Sequence, residues 1–250
     1  MAALIKLDNV DVFGVDTLAR ASSLRQWFVK RQSLRSVRIP ILRNINFNAK
    51  AGDRVALIGV NGSGKSSMLK VISGNYPIES GKREVRGSIV PLIEMGAGFE
   101  PEITGRANIK LSFVYRGRLR EYSKVLEDKI IEFSELGDKI DLPLKTYSSG
   151  MSSRLAFSSA IFQNSEILLL DEVLAAGDAG FSDKATRMLY SKIDLAKITL
   201  IVSHSLDQLK DICNRFVLIH QGRIVNEGNA KDIIHQYESD ILGLAEKTAI

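Results

Sequence analysis

Eight consecutive residues, Gly59-Val60-Asn61-Gly62-Ser63-Gly64-Lys65-Ser66, constrain this chain more than any other stretch. They follow a continuous apolar run, Arg54–Gly59, typical of a strand covered on both faces, and they open a helical pattern over Lys65–Ser73. The glycines let the backbone wrap tightly, so successive N–H groups turn inward toward an anion. The helix behind them presents its own N–H groups and the positive end of its dipole to the same anion. A G-x-x-x-x-G-K-[ST] string between a strand and a helix is a cradle for a nucleoside triphosphate. Gly59, Asn61, Gly62, Ser63, Gly64, Lys65, Ser66 and Ser67 are its expected contacts. Lys65 is expected at the β- and γ-phosphates, and the Ser66 hydroxyl on Mg²⁺.

A second string supplies acids. The buried strand pattern Ile167–Leu170 runs into Asp171 and Glu172. Two acids closing a strand are common by themselves; paired with the upstream loop they acquire roles. Asp171 is expected in the Mg²⁺ shell, and Glu172 as the general base that polarises the attacking water. His204 follows a further buried strand, Thr199–Ser203. An isolated histidine is usually structural, yet here its strand would end on the same sheet edge as the loop, within reach of a γ-phosphate.

The rest of the chain sets the frame. Its 250 residues, 45% apolar and 25% charged, exclude wholesale disorder. No apolar run approaches the length of a spanning helix, and Lys6, Asp8 and Asn9 interrupt the N-terminus where a signal peptide needs an apolar core. The expectation is a cytosolic, soluble chain. The single cysteine, Cys213, excludes a disulfide framework; its helical spacing with Leu206 and Leu209 reads as a buried small apolar residue. The net charge is +5, but its source is local. Between Thr17 and Gly52 there is no acid, while Arg20, Arg25, Lys30, Arg31, Arg35, Arg38, Arg43 and Lys50 are present. The remaining body is acidic, which counts against general nucleic-acid binding.

Strand patterns at Ile5–Asp8 and Arg54–Gly59, then Ile167–Leu170 and Thr199–Val202, alternate with helical ones and argue for an α/β sheet. Ser80-Gly81 and Arg86-Gly87 punctuate a hairpin-like region running into Ser88–Ile93. Residues 108–162 read as helical, an insertion between strands, and Gln221-Gly222 joins a hairpin of Phe216–Ile219 with Arg223–Val225.

Tyr147-Ser148-Ser149-Gly150-Met151 then opens another helix shortly before Asp171, a second helix N-terminus with small residues. The order of these motifs resembles the ATP-binding subunits of ABC transporters, and the resemblance spans nearly the whole chain. Tyr147–Met151 stands where that family carries its Leu-Ser-Gly-Gly-Gln signature, with Ser149 for Gly and Met151 for Gln. A closer likeness, to ATPases exporting O-antigen, capsular polysaccharide or teichoic acid, rests on Glu94–Pro101, Thr104–Asn108, Tyr147–Met151 with Arg154–Phe157, and the long insertion before Leu42–Phe47.

The resemblance implies a P-loop NTPase fold over 1–250: a RecA-like core sheet, an antiparallel β subdomain, a helical subdomain over about 99–162, a basic insertion over about 14–40, and a C-terminal hairpin and helix over about 215–250. It implies ATP and Mg²⁺, with Ser66, Asp171 and Glu94 as metal-side groups. Glu94, or Met95 under a one-residue shift, stands in place of the usual Q-loop glutamine. Asp178 is retained in the D-loop string Ala175–Asp178. Phe13 is the candidate for stacking on adenine, although an aromatic at a strand end also suits plain core. The family further implies a head-to-tail homodimer in which Ser148, Ser149 and Gly150 cap the ATP held by the partner's loop. It also implies a polytopic permease, a lipid-linked polysaccharide reaching the chain only through that permease, and a peripheral seat on the cytoplasmic face of the inner membrane.

Within the basic segment Leu24, Trp27, Phe28 and Arg31 share helical spacing, which suits either a solvated arginine-rich loop or a membrane-side helix with its arginines near lipid phosphates or a polyanionic lipid-linked sugar. Export ATPases of this branch that read a terminal sugar modification carry a further C-terminal β-domain; the chain stops at Ile250, so sugar choice is expected to lie in the permease or to be loose. Two other classes fit the sequence less well. A soluble ABC-type ATPase acting on nucleic acid or ribosomes usually needs two nucleotide domains or a long coiled coil. A P-loop GTPase or kinase would draw on Asp138-Lys139-Ile140-Asp141 as a distorted guanine-reading string.

Overall fold

The structure, a computed structural model, describes residues 3–15, 38–93, 95–172 and 179–243. Most of the basic segment, Glu94 and Asp178 lie outside the described residues. In chain order the strands are β1 (Leu4–Val15), β2 (Arg38–Lys50), β3 (Arg54–Ile58), β4 (Ser80–Arg86), β5 (Ile89–Leu92), β6 (Ile167–Asp171), β7 (Ile198–Val202), β8 (Arg215–His220) and β9 (Arg223–Gly228). The helices are α1 (Lys65–Ser73), α2 (Gly105–Tyr115), α3 (Lys124–Ser134), α4 (Ser149–Ile161), α5 (Ala179–Leu195), α6 (Leu206–Ile212) and α7 (Ala230–Gln236). The chain divides into two compact units. Leu4–Ala49, Leu57–Val85 and Arg215–Ile250 form one; Lys50–Ala56 and Arg86–Asn214, with the first residues, form the other.

In the unit that holds the phosphate loop, β1, β2 and β4 make a three-stranded sheet in the order β2-β1-β4. Both long strands change phase midway. In β1 the buried positions run Ile5, Leu7, then Val10, Val12; in β2 they run Leu42, then Ile45, Phe47, Ala49. Each slip sits at an asparagine with positive φ, Asn9 at 49° and Asn44 at 50°. Asparagine tolerates this left-handed geometry, and one extra residue there moves every later side chain to the opposite face. The slip in β1 turns Phe13 outward. β8 and β9 form an antiparallel hairpin whose two-residue tip, Gln221-Gly222, has positive φ at both positions, as a hairpin turn matched to strand twist requires.

The other unit has parallel strands in the order β5-β6-β7, with Arg54–Ala56 of β3 on the far side of β7. The α/β expectation holds here. The hairpin reading of 80–93 does not: β4 pairs within the sheet of β1, whereas β5 runs parallel to β6 with Val90 and Leu92 buried. The glycines mark the ends of two separate strands. A helical cluster buries Ile109, Phe113, Ile130, Leu136, Ile140 and Leu155 from α2, α3, α4 and the turns between them. Thr104 and Ser123 cap α2 and α3 by accepting from Ala107 N and Leu126 N. Cys213 is buried, and burial pushes its thiol up to about 12, so it behaves as a small apolar residue.

An ionic cluster ties this helical region together. Arg106 donates to both carboxylate oxygens of Asp141, at 2.7 and 3.1 Å, and to the buried Glu127 at 3.0 Å. Tyr122 and Lys124 also donate to Glu127. Hydrogen bonding from Arg106 holds the Asp141 carboxyl below its ordinary range. Burial pushes Glu127 up, but hydrogen bonds from Lys124, Tyr122 and Arg106 outweigh it and hold this carboxyl low as well. Depressed folded-state values stabilise the fold above the unfolded carboxylate range of about 4, and that contribution disappears as pH falls through the folded values. The expected result is a melting temperature that drops between pH 6 and pH 3, with a shallower drop in Arg106→Gln. Thermal unfolding across that pH range checks it; parallel slopes for the two proteins would contradict it.

Candidate functional site

The phosphate loop grows directly out of β3. Gly59, Gly62 and Gly64 take φ of 151°, 77° and 112°, values that side-chain-bearing residues rarely adopt. At Gly59 a Cβ would collide with Ile219 O and lie 2.8 Å from Ser63 Oγ; at Gly64 it would lie 2.8 Å from Leu42 Cδ2. The hairpin tip completes the support: Gly222 N donates to Ser63 O at 2.8 Å, and Arg43 N donates to Gly222 O at 2.7 Å. Lys65 is 8% exposed, and its Nζ donates to Gly59 O at 2.8 Å and Val60 O at 3.0 Å, which folds the amine back over the loop.

Three features make this loop an anion cradle. Gly64 caps α1 without a side-chain bond, the first turn of α1 holds no acid, and Ser63 Oγ is buried with no hydrogen-bond partner. A buried hydroxyl in that state costs free energy until something bonds it. A phosphate oxygen satisfies both the hydroxyl and the helix N–H groups. Asn61 and Gly62 are exposed at the loop crest, and Ser66 and Ser67 are half-buried in the first turn of α1. Phe13, in the same unit, is 38% exposed, so its ring is available for stacking rather than consumed in the core.

The acidic strand end lies in the other unit. Asp171 closes β6 in register with Val202 of the neighbouring parallel strand. Glu172 follows at φ 56°, and its N–H donates to Val202 O at 3.0 Å. This left-handed turn, unusual for glutamate, carries its carboxylate to His204, where Oε1 lies 2.9 Å from Nε2. Both side chains are more than half exposed, so water reaches the carboxylate. A carboxylate held by an imidazole at the carboxyl ends of adjacent parallel strands has the form of a general base with its orienting group. Sequence reasoning gave His204 a phosphate contact; the 2.9 Å bond to Glu172 is an arrangement it did not foresee, because neither residue's spacing announces the left-handed turn. Ser66 and Asp171 both offer hard oxygen donors of the type Mg²⁺ takes.

The turn at 147–151 is a helix start. Ser148 caps α4, its Oγ accepting from Met151 N at 3.2 Å. Ser148, Ser149 and Gly150 are exposed, and a Cβ at Gly150 would meet only Ser148 Oγ, at 4.0 Å. No acid occupies the first turn of α4. The string Asp138–Asp141 does not resemble a base-reading site: it forms a tight turn with Ile140 buried and the Asp141 carboxylate taken up by Arg106.

Residues 42–175 match a family model described as ABC transporter. The chain is 38% identical to the O-antigen export system ATP-binding protein RfbB of Myxococcus xanthus over 98% of its own length and 57% of that protein. It is 40% identical to the teichoic acids export ATP-binding protein TagH of Lactococcus lactis over 79% of its own length and 42% of the relative. With the O-antigen export system ATP-binding protein RfbE of Yersinia enterocolitica the identity is 40%, over 76% of this chain and 80% of that one. The chain thus spans only about half the length of the first two relatives. In fold it is similar to a dimeric ATP-binding cassette in a post-hydrolysis state bound to ADP and Pi, with a TM-score of 0.67 and 20% identity over 90% of this chain and 98% of the other. It is similar also to the ATP-binding subunit of an ABC transporter, with a TM-score of 0.68 over 94% and 93%.

Proposed function

The chain belongs to the ABC transporter family of ATP-binding domains, and from that premise we propose that it hydrolyses ATP to power export of a lipid-linked polysaccharide, of O-antigen or capsule type, across the cytoplasmic membrane. The observation that carries the nucleotide-binding part is the buried, unpartnered Ser63 hydroxyl inside a glycine loop closed by Lys65. The export part is supported by the 40% identity with RfbE over four-fifths of that protein. A second reading, teichoic acid export, is supported by the 40% identity with TagH.

In this reading the loop amides, Lys65 and Ser63 bind the triphosphate, with Lys65 leaving its carbonyl partners to meet the β- and γ-oxygens. Ser66 and Asp171 are the oxygen donors that would hold Mg²⁺, and the ion would supply charge neutralisation on the phosphate oxygens. Glu172 accepts a proton from the attacking water, and His204 fixes which carboxylate oxygen does so. Phe13 stacks on the adenine, and Glu94 and Asp178 occupy the family's Q-loop and D-loop positions. Ser148–Gly150 of a second copy cap the nucleotide, so the working unit is a head-to-tail homodimer. Among the described residues no helix is long and apolar enough to cross a membrane. The export-system names of the relatives support a polytopic permease as the path, with this chain seated against it on the cytoplasmic face.

Deletion of the gene tests the proposal. The expected outcome is loss of one surface glycan and accumulation of its lipid-linked precursor, with both restored by the wild-type chain and not by Lys65→Ala. Glycan analysis by mass spectrometry reads it. An unchanged cell surface would overturn the proposal, and loss of a wall teichoic acid would select the second reading.

A further inference from the structure

The Ser148–Gly150 turn stands exposed, and what holds it in place is the residue before it. Tyr147 N donates to Leu144 O at 2.9 Å, and its phenol donates to Lys139 O at 2.7 Å. The ring end lies directly over Gly105, the first residue of α2. A Cβ there would collide with the phenol oxygen and lie 3.0 Å from Cζ and 3.1 Å from Ile140 Cδ1.

The strap that carries Tyr147 is itself fastened to the start of α2. Gly105 N donates to Leu142 O at 3.2 Å, Leu144 N to Ile103 O at 2.9 Å, and Lys145 N to Pro101 O at 2.9 Å. Thr104 and Pro143 form an antiparallel bridge, and Arg106 grips Asp141 with two hydrogen bonds. Residues 139–147 are therefore a rigid bracket. Tyr147 is its last member, one peptide from the exposed turn. A rigid first contact matters because small displacements of a recognition group cost large factors in rate.

We propose that Tyr147 is a positioning residue: seated on Gly105 and bonded to Lys139 O, it sets the pose in which Ser148–Gly150 meets the nucleotide carried by a second copy of this chain. The inference rests on the two-copy reading above. It predicts a defect confined to the step that needs two copies. A single chain binds ATP through its own loop, and the hydrogen bonds of Tyr147 go to Leu144 and Lys139 instead.

The test uses the full chain and reads ATP hydrolysis against protein concentration, beside binding of a fluorescent ATP analogue. Tyr147→Phe keeps the packing and removes the bond to Lys139. It is expected to raise the protein concentration for half-maximal hydrolysis by about 2- to 10-fold, the span of one net hydrogen bond, with analogue affinity and maximal rate at saturating protein unchanged. Gly105→Ala is expected to raise it further, and Tyr147→Phe added to Gly105→Ala to recover part of that loss by relieving the collision. Unaltered concentration dependence in both single variants would overturn the inference, as would loss of analogue binding in step with hydrolysis. Gly150→Asp separates this failure from failure of the two-copy reading. If it abolishes hydrolysis while Tyr147→Phe and Gly105→Ala do nothing, the positioning role alone falls. If Gly150→Asp also hydrolyses normally, the two-copy reading falls and takes the positioning role with it.

Discussion

Glu172→Gln is expected to bind ATP as the wild type does and to hydrolyse it about 10²–10⁴-fold more slowly, the range for loss of a general base. The substitution keeps shape and leaves a carbonyl oxygen to pair with His204 Nε2, so the 2.9 Å contact and the turn at φ 56° both have a counterpart in the variant. What it removes is the ability to accept a proton. Phosphate release in single-turnover mixtures, read beside equilibrium nucleotide binding, separates the two effects. The variant is also expected to trap the ATP-bound pair of copies, visible as a dimer by size exclusion with light scattering. Wild-type turnover would place the base at another residue.

The second large effect concerns architecture. Gly59→Ala places a Cβ against Ile219 O and 2.8 Å from Ser63 Oγ, at a φ of 151° that alanine does not favour. Neither obstacle is a flexible side-chain tip that can swing aside: one is the backbone of β8, the other a buried hydroxyl. Backbone strain and overpacking together are expected to destabilise this unit by about 2–6 kcal/mol and to remove nucleotide binding. Gly62→Ala is the control. It also has positive φ, 77°, but no atom within 4 Å of the added methyl, so its cost is only that of the left-handed conformation, about 1–2 kcal/mol. Urea unfolding of the three proteins ranks them; equal midpoints for the two variants would show that the Ile219 carbonyl yields.

These expectations mix what the chain announces with what it hides. The loop, α1 and the strands β3, β6 and β7 are legible because each joins a short run of Val, Ile and Leu to a motif of fixed spacing, and local chemistry decides both ends of α1 at Lys65 and Ser73. The phase slips at Asn9 and Asn44 are not legible: two positive-φ asparagines in extended strands leave no mark in the apolar pattern except a three-residue gap. Helix α5 is not legible either: its buried positions Phe181, Ala185, Leu189 and Ile193 are only one per turn, and the exposed Tyr190 and Leu195 blur the pattern. The course of 80–93 is illegible because glycines at strand ends look the same whether the chain turns back or travels on. At the site, Lys65, Asp171 and Glu172 could be named from spacing. The Glu172–His204 bond and the Arg106–Asp141 grip could not, since each joins residues more than thirty positions apart that no motif relates.

Gly222 spends both of its backbone groups on distant partners, Ser63 on one side and Arg43 on the other, and it has no room for a methyl group beside Ile41 O. A hairpin tip is ordinarily where chains accept additions most readily. This one is closed to them: an epitope tag, a reporter or a lengthened linker grafted at Gln221-Gly222 would pull the peptide out of the bracket that shapes the loop below it. Engineering of this protein has to look for its permissive sites elsewhere, and any naturally longer tip would have to be accompanied by a rebuilt loop.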